Sequence, residues 1–288
     1  MPIEKILTHP GSSHKDEFLA CCVLAYQHKV PIHRCEPSAA DLQNPAICVV
    51  DVGGEHEPER SNFDHHQFPR DHPPLCALSL VLQDLGLYEN ARAFCDWLEP
   101  AEWLDTRGPV DAAKWMNIER KVLNQLISPI DITLLRRFAQ SSELTEKDVL
   151  WQVMCMVGED IIEYLQTLSE RLIYLDQHCE WWTITNGEHS FEAVFLPRTD
   201  PLPKDPSMAL PRFIAEQGKD QSVIAMVYPD SRGDGYGLSR HNDNKKMDFS
   251  PLESESDVHF AHTRGFVAKT TATDPLRLKE LLATAHTH

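Results

Sequence analysis

The feature that most constrains the fold is a continuous apolar run from Ala46 to Val50, which ends abruptly at Asp51-Val52-Gly53-Gly54. A run without polar alternation is typical of a strand that is buried on both faces, as in a parallel sheet covered by helices. Upstream, Ile6 to Thr8 is a short apolar run broken by Pro10-Gly11, and apolar residues then recur at helical spacing from Phe18 to Tyr26. Strands that alternate with helices predict a doubly wound α/β domain with a mainly parallel sheet.

The pattern changes twice further along the chain. From about residue 76 to 178 most segments are predicted to be helical, including an apolar segment interrupted by Pro100 and a long helix from Val149 to Leu175. After Cys179, two strands are predicted around Asn186-Gly187, a dipeptide typical of tight hairpin turns. We therefore expect three parts: a main domain over residues 1–128, a helical connector over 129–178 that packs on it, and a smaller C-terminal α/β domain over 179–288.

Composition excludes several classes of protein. The chain has 288 residues, with 27 Lys and Arg against 44 Asp and Glu, a formal net charge of −17. This balance argues against a protein that coats nucleic acid or an anionic membrane through a basic surface. No apolar stretch reaches the roughly 18 residues that a membrane span needs, and residues 1–5 lack the pattern of a secretory signal. Because the eight cysteines form no CxxC pair, we expect reduced thiols in an intracellular protein, cytoplasmic if the source is bacterial.

Side chains that could bind metal follow strand-like runs. The candidates are His9, His14, Asp16, Asp51, His65 and Asp105, of which only Asp105 follows a helical segment. In open α/β sheets, side chains just past the carboxyl ends of strands converge on one crevice. Mixed imidazole and carboxylate ligands suit Mn²⁺, Fe²⁺, Co²⁺ or Zn²⁺, suit Mg²⁺ less well and do not suit Ca²⁺. Six ligands with one bridging carboxylate are enough for two cations about 3.5–4 Å apart, which would turn a bridging water into hydroxide and bind phosphoryl oxygens.

Each of these residues also has a simpler interpretation. His9 or His14 alone could be an ordinary surface or core histidine, Asp51 could be a turn residue before two glycines, and Asp105 could pair with Arg107. The tripeptide at residues 64–66 is by itself a short motif that often occurs by chance. Their strand contexts and chain order together favour a metal site over these separate explanations.

The sequence resembles the melanocyte-proliferating-gene (Myg) family, a branch of the DHH phosphoesterase superfamily. The matching pieces are Thr8-His9-x-Gly11-x-x-His14-x-Asp16-Glu17, Val50-Asp51-Val52-Gly53-Gly54, Pro58-Glu59-Arg60 leading to Phe63-Asp64-His65-His66, Val227-Tyr228-Pro229, and His262-x-x-Gly265-Phe266. The N-terminal pieces are the specific ones. Lys15 departs from the cysteine that is usual in the family. Separately, the spacing from Gln67 to Asp105 is short, which makes Asp105 the weakest assignment among the metal ligands.

The resemblance implies a DHH-like di-metal catalytic domain and a role for each ligand. His9, His14 and Asp51 would hold one cation, and Asp16, Asp51, His65 and Asp105 would hold the other, so that Asp51 bridges. Asp64 would orient a neighbouring imidazole, and His66 would face the scissile phosphate as a hydrogen-bond donor. The family resembles 3′–5′ RNA exonucleases. It therefore implies hydrolysis of a phosphodiester in RNA or a short oligonucleotide, with two divalent cations, Mn²⁺ before Mg²⁺, Co²⁺ or Fe²⁺.

The smaller C-terminal domain is expected, from the superfamily, to hold substrate. The candidate contacts are Ser239, Arg240, His241, His259, His262, Gly265 and Phe266. Arg240 suits a bidentate phosphate grip, but it could equally form a salt bridge to the acidic stretch 253–257. Gly265 would allow a close approach of backbone to phosphate or ribose. Trp181-Trp182 could stack on bases, although packing inside the domain is the favoured interpretation.

Two other functions remain open at this point. A small-molecule phosphohydrolase acting on pyrophosphate or a nucleotide phosphate would use the same ligands, and a metal-dependent binding or regulatory module would keep the metals without turnover. A purely structural metal site is disfavoured, because histidine and carboxylate ligands leave room for water, unlike a closed cysteine-rich shell. The acidity of the chain favours substrates with few phosphates and argues against long duplex DNA. No membrane partner is expected, and a homodimer is left open.

Overall fold

A computed structural model describes residues 2–287 of the chain. The chain divides into two compact units, the first running to Thr167 and the second beginning at Leu168. Each unit is built on a six-stranded sheet. Within residues 2–287, no helix combines the length and the apolar character needed to cross a membrane.

The sheet of the first unit is mainly parallel. Its strands are β1 (Lys5–Thr8), β2 (Ile32–Arg34), β3 (Ile47–Val50), β4 (His56–Glu57), β5 (Asn62–Phe63) and β6 (Glu143–Leu144), in the order β4-β5-β3-β1-β2-β6. β1 runs parallel to β2 and β3, and β3 runs parallel to β5, whereas β4 and β6 are antiparallel edge strands. All four residues of β3 are buried. The predicted buried strand and the mainly parallel α/β sheet are therefore confirmed.

Eight helices complete the pattern that begins in this unit. They are α1 (Lys15–His28), α2 (Ala39–Leu42), α3 (Ala77–Asp84), α4 (Tyr88–Phe94), α5 (Leu98–Trp115), α6 (Arg120–Gln125), α7 (Pro129–Gln140) and α8 (Val149–His178). α1 is buried along nearly all of its residues from Asp16 to Ala25, which is why it lacks a polar face. It shares one apolar core with β1, β3, α3 and α8, represented by Ile6, Val23, Val50, Leu80 and Met154.

The predicted interruption at Pro100 is wrong. Pro100 lies in the first turn of α5, where backbone N–H groups have no intrahelical acceptor and proline removes nothing. The helix is broken instead at Gly108, which has φ 76° and ψ 169° and is followed by Pro109. Asp105 therefore lies in the last turn before this break.

The second unit contains a mixed sheet. Its strands are β7 (Glu180–Asn186), β8 (His189–Phe195), β9 (Val223–Pro229), β10 (Tyr236–Arg240), β11 (Val258–Ala261) and β12 (Val267–Thr270), in the order β11-β12-β10-β9-β8-β7, with helices α9 (Leu210–Glu216) and α10 (Pro275–Ala285). The predicted hairpin is present, but its turn is Gly187-Glu188, because Asn186 pairs with His189. Trp182 stacks on Phe195 with ring centroids 4.1 Å apart, as the packing interpretation of the tryptophan pair predicts.

Candidate metal centre

The parallel strands bring the candidate ligands to one edge of the first sheet. His9 and His14 lie in the loop between β1 and α1, and Asp16 lies in the first turn of α1. Asp51 is the first residue beyond β3 and His65 lies just beyond β5. Because β1, β3 and β5 run parallel, their carboxyl ends meet at this edge.

Asp51 has an unusual backbone conformation. Its φ is 59°, in the left-handed region, which non-glycine residues rarely adopt and which is concentrated at functional sites. The residue is 3% exposed. Each of its carboxylate oxygens faces a different side of the site: Oδ2 lies 3.5 Å from Nε2 of His9, and Oδ1 lies 3.0 Å from Nε2 of His65.

Asp51 belongs to three groups of potential ligands, and within each group the ligand atoms lie within 4.8 Å of one another. The first cluster comprises His9, His14, Glu17 and Asp51, the second cluster comprises Asp16, Asp51, His65 and Asp105, and a smaller group joins Asp51 to His65 and His66. The first and second clusters, called the two clusters below, bring together all six residues predicted as metal ligands, with Asp51 common to both as predicted. Asp105, the weakest assignment from the sequence, lies 2.9 Å from His65 through its Oδ2 atom. Their role as ligands stays a prediction.

The donor set can be tested for its fit to a cation. Five buried atoms of the two clusters form no hydrogen bond of normal geometry: Asp16 Oδ1, Glu17 Oε2, Asp51 Oδ1, His65 Nε2 and Asp105 Oδ2. All but Asp16 Oδ1 are in ion-pair contacts between imidazole and carboxylate. A buried polar atom without a partner costs about 1–3 kcal/mol. A cation in each cluster would satisfy the atoms that face it. Nitrogen and carboxylate oxygen donors that leave room for water fit Mn²⁺, Fe²⁺, Co²⁺ or Zn²⁺.

The pKa shifts of the residues in these clusters also indicate that the site favours bound positive charge. Burial, and then the negative charges of Asp105 and Asp51, raise the pKa of Asp16 well above its usual range. Asp51, followed by Glu17, raises the pKa of His9 to about 10 against the opposing effect of burial. For Asp51, burial acts to raise the pKa, but the imidazoles of His65 and His9 together lower it to about 2. Closely packed carboxylates here require positive charge, which protons supply when no metal is bound.

Asp64 and His66 form a pair beside the two clusters. Asp64 is 1% exposed; its Oδ2 accepts from the backbone N–H of Gly54 at 2.6 Å, and its Oδ1 accepts from that of His66 at 3.0 Å. The same Oδ1 lies 2.6 Å from Nδ1 of His66. This hydrogen bond raises the pKa of His66 and leaves Nε2 free to face solvent. The imidazole that Asp64 orients is therefore that of His66.

Two cavities border these residues. One of about 390 Å³ is lined by His9, His14, Asp51, Val52, Gly53, Gly54, Asp64 and His66. The other, of about 290 Å³, is lined in part by His65, His66, Arg70, Asp105 and Arg107. Arg107 donates to the backbone carbonyl of His72, so it does not pair with Asp105 as the simpler interpretation of the sequence suggested. The second cavity is therefore lined by the guanidinium groups of Arg70 and Arg107 and by the carboxylate of Asp105.

Sequence reasoning gave no role to two further residues, Glu17 and Arg34. Both are buried, at 0% and 5% exposure, and their side chains pair with each other. The sequence feature that indicates a role for Glu17 is its charge at the start of the apolar segment Phe18 to Ala25. A carboxylate carried into a buried helix requires a partner. Arg34 could not be identified as that partner, because it lies at the end of a different strand, β2.

In the second unit, the structure gives several predicted substrate contacts other partners. Arg240 donates to the carbonyls of Met247 and Arg264 and pairs with Asp243. The alternative salt bridge to residues 253–257 is wrong, because Glu255 and Asp257 in that stretch pair with Arg277. His241 is 1% exposed, with Nε2 3.0 Å from Asp220, which favours a structural role.

Gly265 is required for packing against a side chain. Its φ is 66°, and a Cβ atom there would lie 1.8 Å from Oδ1 of Asp248. The expected close approach of this backbone is therefore found, but it is made to a carboxylate of the same unit. Ser239 is in contact with the Tyr228 hydroxyl.

Of the remaining predicted contacts, His259 and Phe266 are exposed and His262 is partly buried. The ring of His262 lies 4.0 Å from that of Phe266, which is 41% exposed. His259 lines a separate cavity of about 550 Å³ together with Asp230, Arg232, Phe260 and Lys269. Among the predicted substrate contacts, His259, His262 and Phe266 are thus accessible to a ligand, and their role stays a prediction.

Comparison with known proteins gives a match over the N-terminal segment. Residues 5–81 match the MYG1_exonuc family, described as an uncharacterised protein family (UPF0160). Two solved structures align with the chain at low similarity. A pGpG-specific phosphodiesterase, PggH of Vibrio cholerae, aligns over 99% of this chain and 98% of its own at 13% identity and a TM-score of 0.31. The DHH domain of a member of a ribosomal protein family aligns over 98% and 86% at 12% identity and a TM-score of 0.34.

Curated relatives match within the same N-terminal region. The chain is 44% identical over 68 residues to the MYG1 exonuclease of Bos taurus and 43% identical over 67 residues to that of Homo sapiens; each match covers 22% of this chain and 17% of the relative. It is 42% identical over 62 residues to the MYG1 protein of Chlamydia trachomatis serovar D, which covers 21% of each. The matches therefore span about a fifth of the length of these relatives. The similarity to the MYG1 family is therefore established for residues 5–81 of this chain.

Proposed function

We propose that this protein is a metal-dependent phosphoesterase. The observation that carries the proposal is the pair of ligand clusters that share Asp51. Five buried oxygen and nitrogen atoms of these clusters form no hydrogen bond of normal geometry. A pair of cations a few ångströms apart is the usual arrangement for hydrolysis of phosphate esters. The exonuclease names of the MYG1 relatives support the same reaction class.

The finer proposal is a 3′–5′ exonuclease acting on RNA or a short oligonucleotide. His9, His14 and Asp51 would hold one divalent cation, and Asp16, Asp51, His65 and Asp105 would hold the other, with Mn²⁺ as the favoured ion. When bound, these ions would activate a water molecule and neutralise the phosphoryl oxygens.

Residues of this chain would position the phosphate. His66, fixed through Nδ1 by Asp64, presents its Nε2 at the rim of both cavities. In its protonated form, which the bond to Asp64 favours, it donates to a non-bridging oxygen. Arg70 and Arg107 line the cavity beside the second cluster, where a guanidinium group suits a phosphate. In the second unit, the exposed ring of Phe266 and the partly buried ring of His262 suit stacking on a base.

The test is digestion of a short 5′-labelled RNA by the purified chain in the presence of Mn²⁺. We expect products that shorten progressively from the 3′ end, with no products from the Asp51→Asn variant. Cleavage of pyrophosphate or nucleotide phosphates alone would replace the exonuclease by a small-molecule phosphohydrolase. Metal binding without cleavage of RNA, DNA, a cyclic dinucleotide or pyrophosphate would indicate a binding module and overturn the proposal.

A further inference from the structure

Glu17 lies at the first cluster but belongs to no predicted ligand set. Its side chain is fully buried, and its two carboxylate oxygens face different groups. Oε1 accepts a hydrogen bond of 2.9 Å from Nη2 of Arg34. Oε2 has no hydrogen-bond partner and is in close contact with Nε2 of His9.

The tautomer of His9 makes this contact informative. Nδ1 of His9 lies 2.9 Å from the carbonyl oxygen of Pro10, which can only accept, so Nδ1 carries a proton. In the metal-free chain, a proton on Nε2 balances the facing carboxylate oxygens, Oε2 of Glu17 and Oδ2 of Asp51. A histidine that binds metal is neutral and presents a lone pair at Nε2 instead, so the same three atoms would converge on a cation that replaces the proton.

Arg34 holds the whole loop that carries the two histidines. Besides Glu17, its guanidinium group donates to the carbonyls of Gly11 and Ser12, between His9 and His14. It also donates to the carbonyl of Phe138 in α7 and lies 4.5 Å from the centroid of that ring. Arg34 is therefore a fixed anchor, and a buried guanidinium that satisfies several acceptors at once is well suited to this.

We propose that Glu17 is an additional ligand of the first cluster, through Oε2, and that Arg34 positions both Glu17 and the histidine loop. The first cluster would then contain two imidazoles and two carboxylates, His9, His14, Glu17 and Asp51. The hydrogen bond from Arg34 occupies Oε1 and leaves Oε2 as the oxygen that faces the cluster. This inference rests on the proposed function, because it adds a residue to the metal centre on which that function depends.

The experiment measures metal binding directly. Metal-stripped protein is titrated with Mn²⁺ by calorimetry, and the visible absorption of bound Co²⁺ reports the coordination of each site. We expect two equivalents in the wild-type chain. In Glu17→Gln, one equivalent is expected to bind about 10- to 100-fold more weakly, with an altered Co²⁺ spectrum, while the other equivalent keeps its affinity.

Glu102→Gln is the matched control. Glu102 is also a buried glutamate of the first unit, 1% exposed, and it also pairs with an arginine, Arg92, but it is not a member of either cluster. Its substitution should leave both Mn²⁺ affinities unchanged. A loss common to both variants would assign the effect to general disruption of the unit and overturn the role of Glu17.

Two further variants keep the test decisive if Glu17→Gln does not fold. Glu17→Asp keeps the charge but shortens the side chain, and Arg34→Lys keeps a cation but loses the fork that reaches several carbonyls. Both should weaken the same single equivalent. Unchanged affinity and Co²⁺ spectra in folded Glu17 and Arg34 variants would overturn the inference while leaving the proposed function intact, whereas a wild-type chain that binds no metal would remove both.

Discussion

Nε2 of His65 lies 2.9 Å from Oδ2 of Asp105, an ion-pair contact that requires a proton on the imidazole. Two residues from distant parts of the chain thus bring potential ligand atoms to one point, where a bound cation would replace that proton. This is the geometry expected of two ligands of a common cation. We expect Asp105→Asn to weaken one Mn²⁺ equivalent by about 100-fold or more, as measured by calorimetry. Asp111→Asn, an exposed carboxylate on the same helix that pairs with Lys114, should change neither equivalent. Equal binding by both variants would contradict the assignment of Asp105.

His66 is expected to act in turnover without holding metal. His66→Ala removes the group that faces both cavities, and loss of one such donor to a developing charge lowers kcat by about 10²–10³-fold. The measurement is kcat on the substrate identified by the digestion assay, together with metal content. His178→Ala, in the second unit, serves as control. Full activity of His66→Ala would exclude the proposed contact to phosphate.

Asp64 should act through His66. Asp64→Asn weakens the bond that orients the imidazole and also affects the acceptor of the Gly54 N–H. We expect a fall in kcat for Asp64→Asn alone but little further fall when it is added to His66→Ala, because the two residues form one unit. Independent, additive effects in this double-mutant cycle would show that Asp64 supports the site in another way.

The second unit should lose stability in acid through Asp230. This carboxylate is 5% exposed; burial acts to raise its pKa, but Lys269, at 2.7 Å, lowers it to a net value below the usual one. A depressed pKa gives stability that is present above the unfolded-state pKa of about 3.9 and is lost as pH falls through the folded-state value. Asp230→Asn should cost about 1–3 kcal/mol of unfolding free energy at neutral pH and flatten the acid dependence.

Hydrogen exchange in β10 and β12, measured at neutral pH and at about pH 3, which is below the unfolded-state pKa, checks this expectation. Asp234→Asn alters an exposed carboxylate of the same loop and is the control. An acid dependence that is identical in wild type and Asp230→Asn would contradict the proposed linkage.

Gly265 and Gly218 together separate two contributions to unfolding free energy: the cost of a left-handed backbone and the cost of a steric clash. Gly265→Ala forces a Cβ atom onto Asp248, which also accepts hydrogen bonds from Ser250. Gly218 has a similar φ of 67° but open space around its Cβ position. Gly218→Ala should therefore cost about 1 kcal/mol, and Gly265→Ala about 1–3 kcal/mol more. Urea unfolding of both variants measures the difference, and equal losses would show that the contact with Asp248 adjusts freely.

The fold and the positions of the first candidate ligands could be predicted because local sequence determines them. Four consecutive apolar residues define β3, and the strand ends where Asp51 begins the turn, so position along the chain was enough to place this carboxylate at the carboxyl edge of the sheet. The break in α5 was missed because the effect of a proline depends on how far it lies from the helix start, which the sequence pattern does not fix within a few residues.

Tertiary pairing explains the rest. The partner of Arg240 is Asp243, three residues away, whereas the acidic stretch that appeared equally suitable is paired with Arg277 of α10. Likewise, the connection between Glu17 and Arg34 depends on β2 lying beside β1 in the sheet. Neither choice between competing partners is encoded in spacing along the chain.

The residues of both clusters lie between His9 and Asp105. Synthesis proceeds from the amino terminus, and domains generally fold as units in that order. Every potential ligand has therefore been translated before β7, the first strand of the second unit. With cations bound as we propose, metal loading would be separable in time from the synthesis of the second unit, and the cation would be able to act on the folding of the first unit during translation.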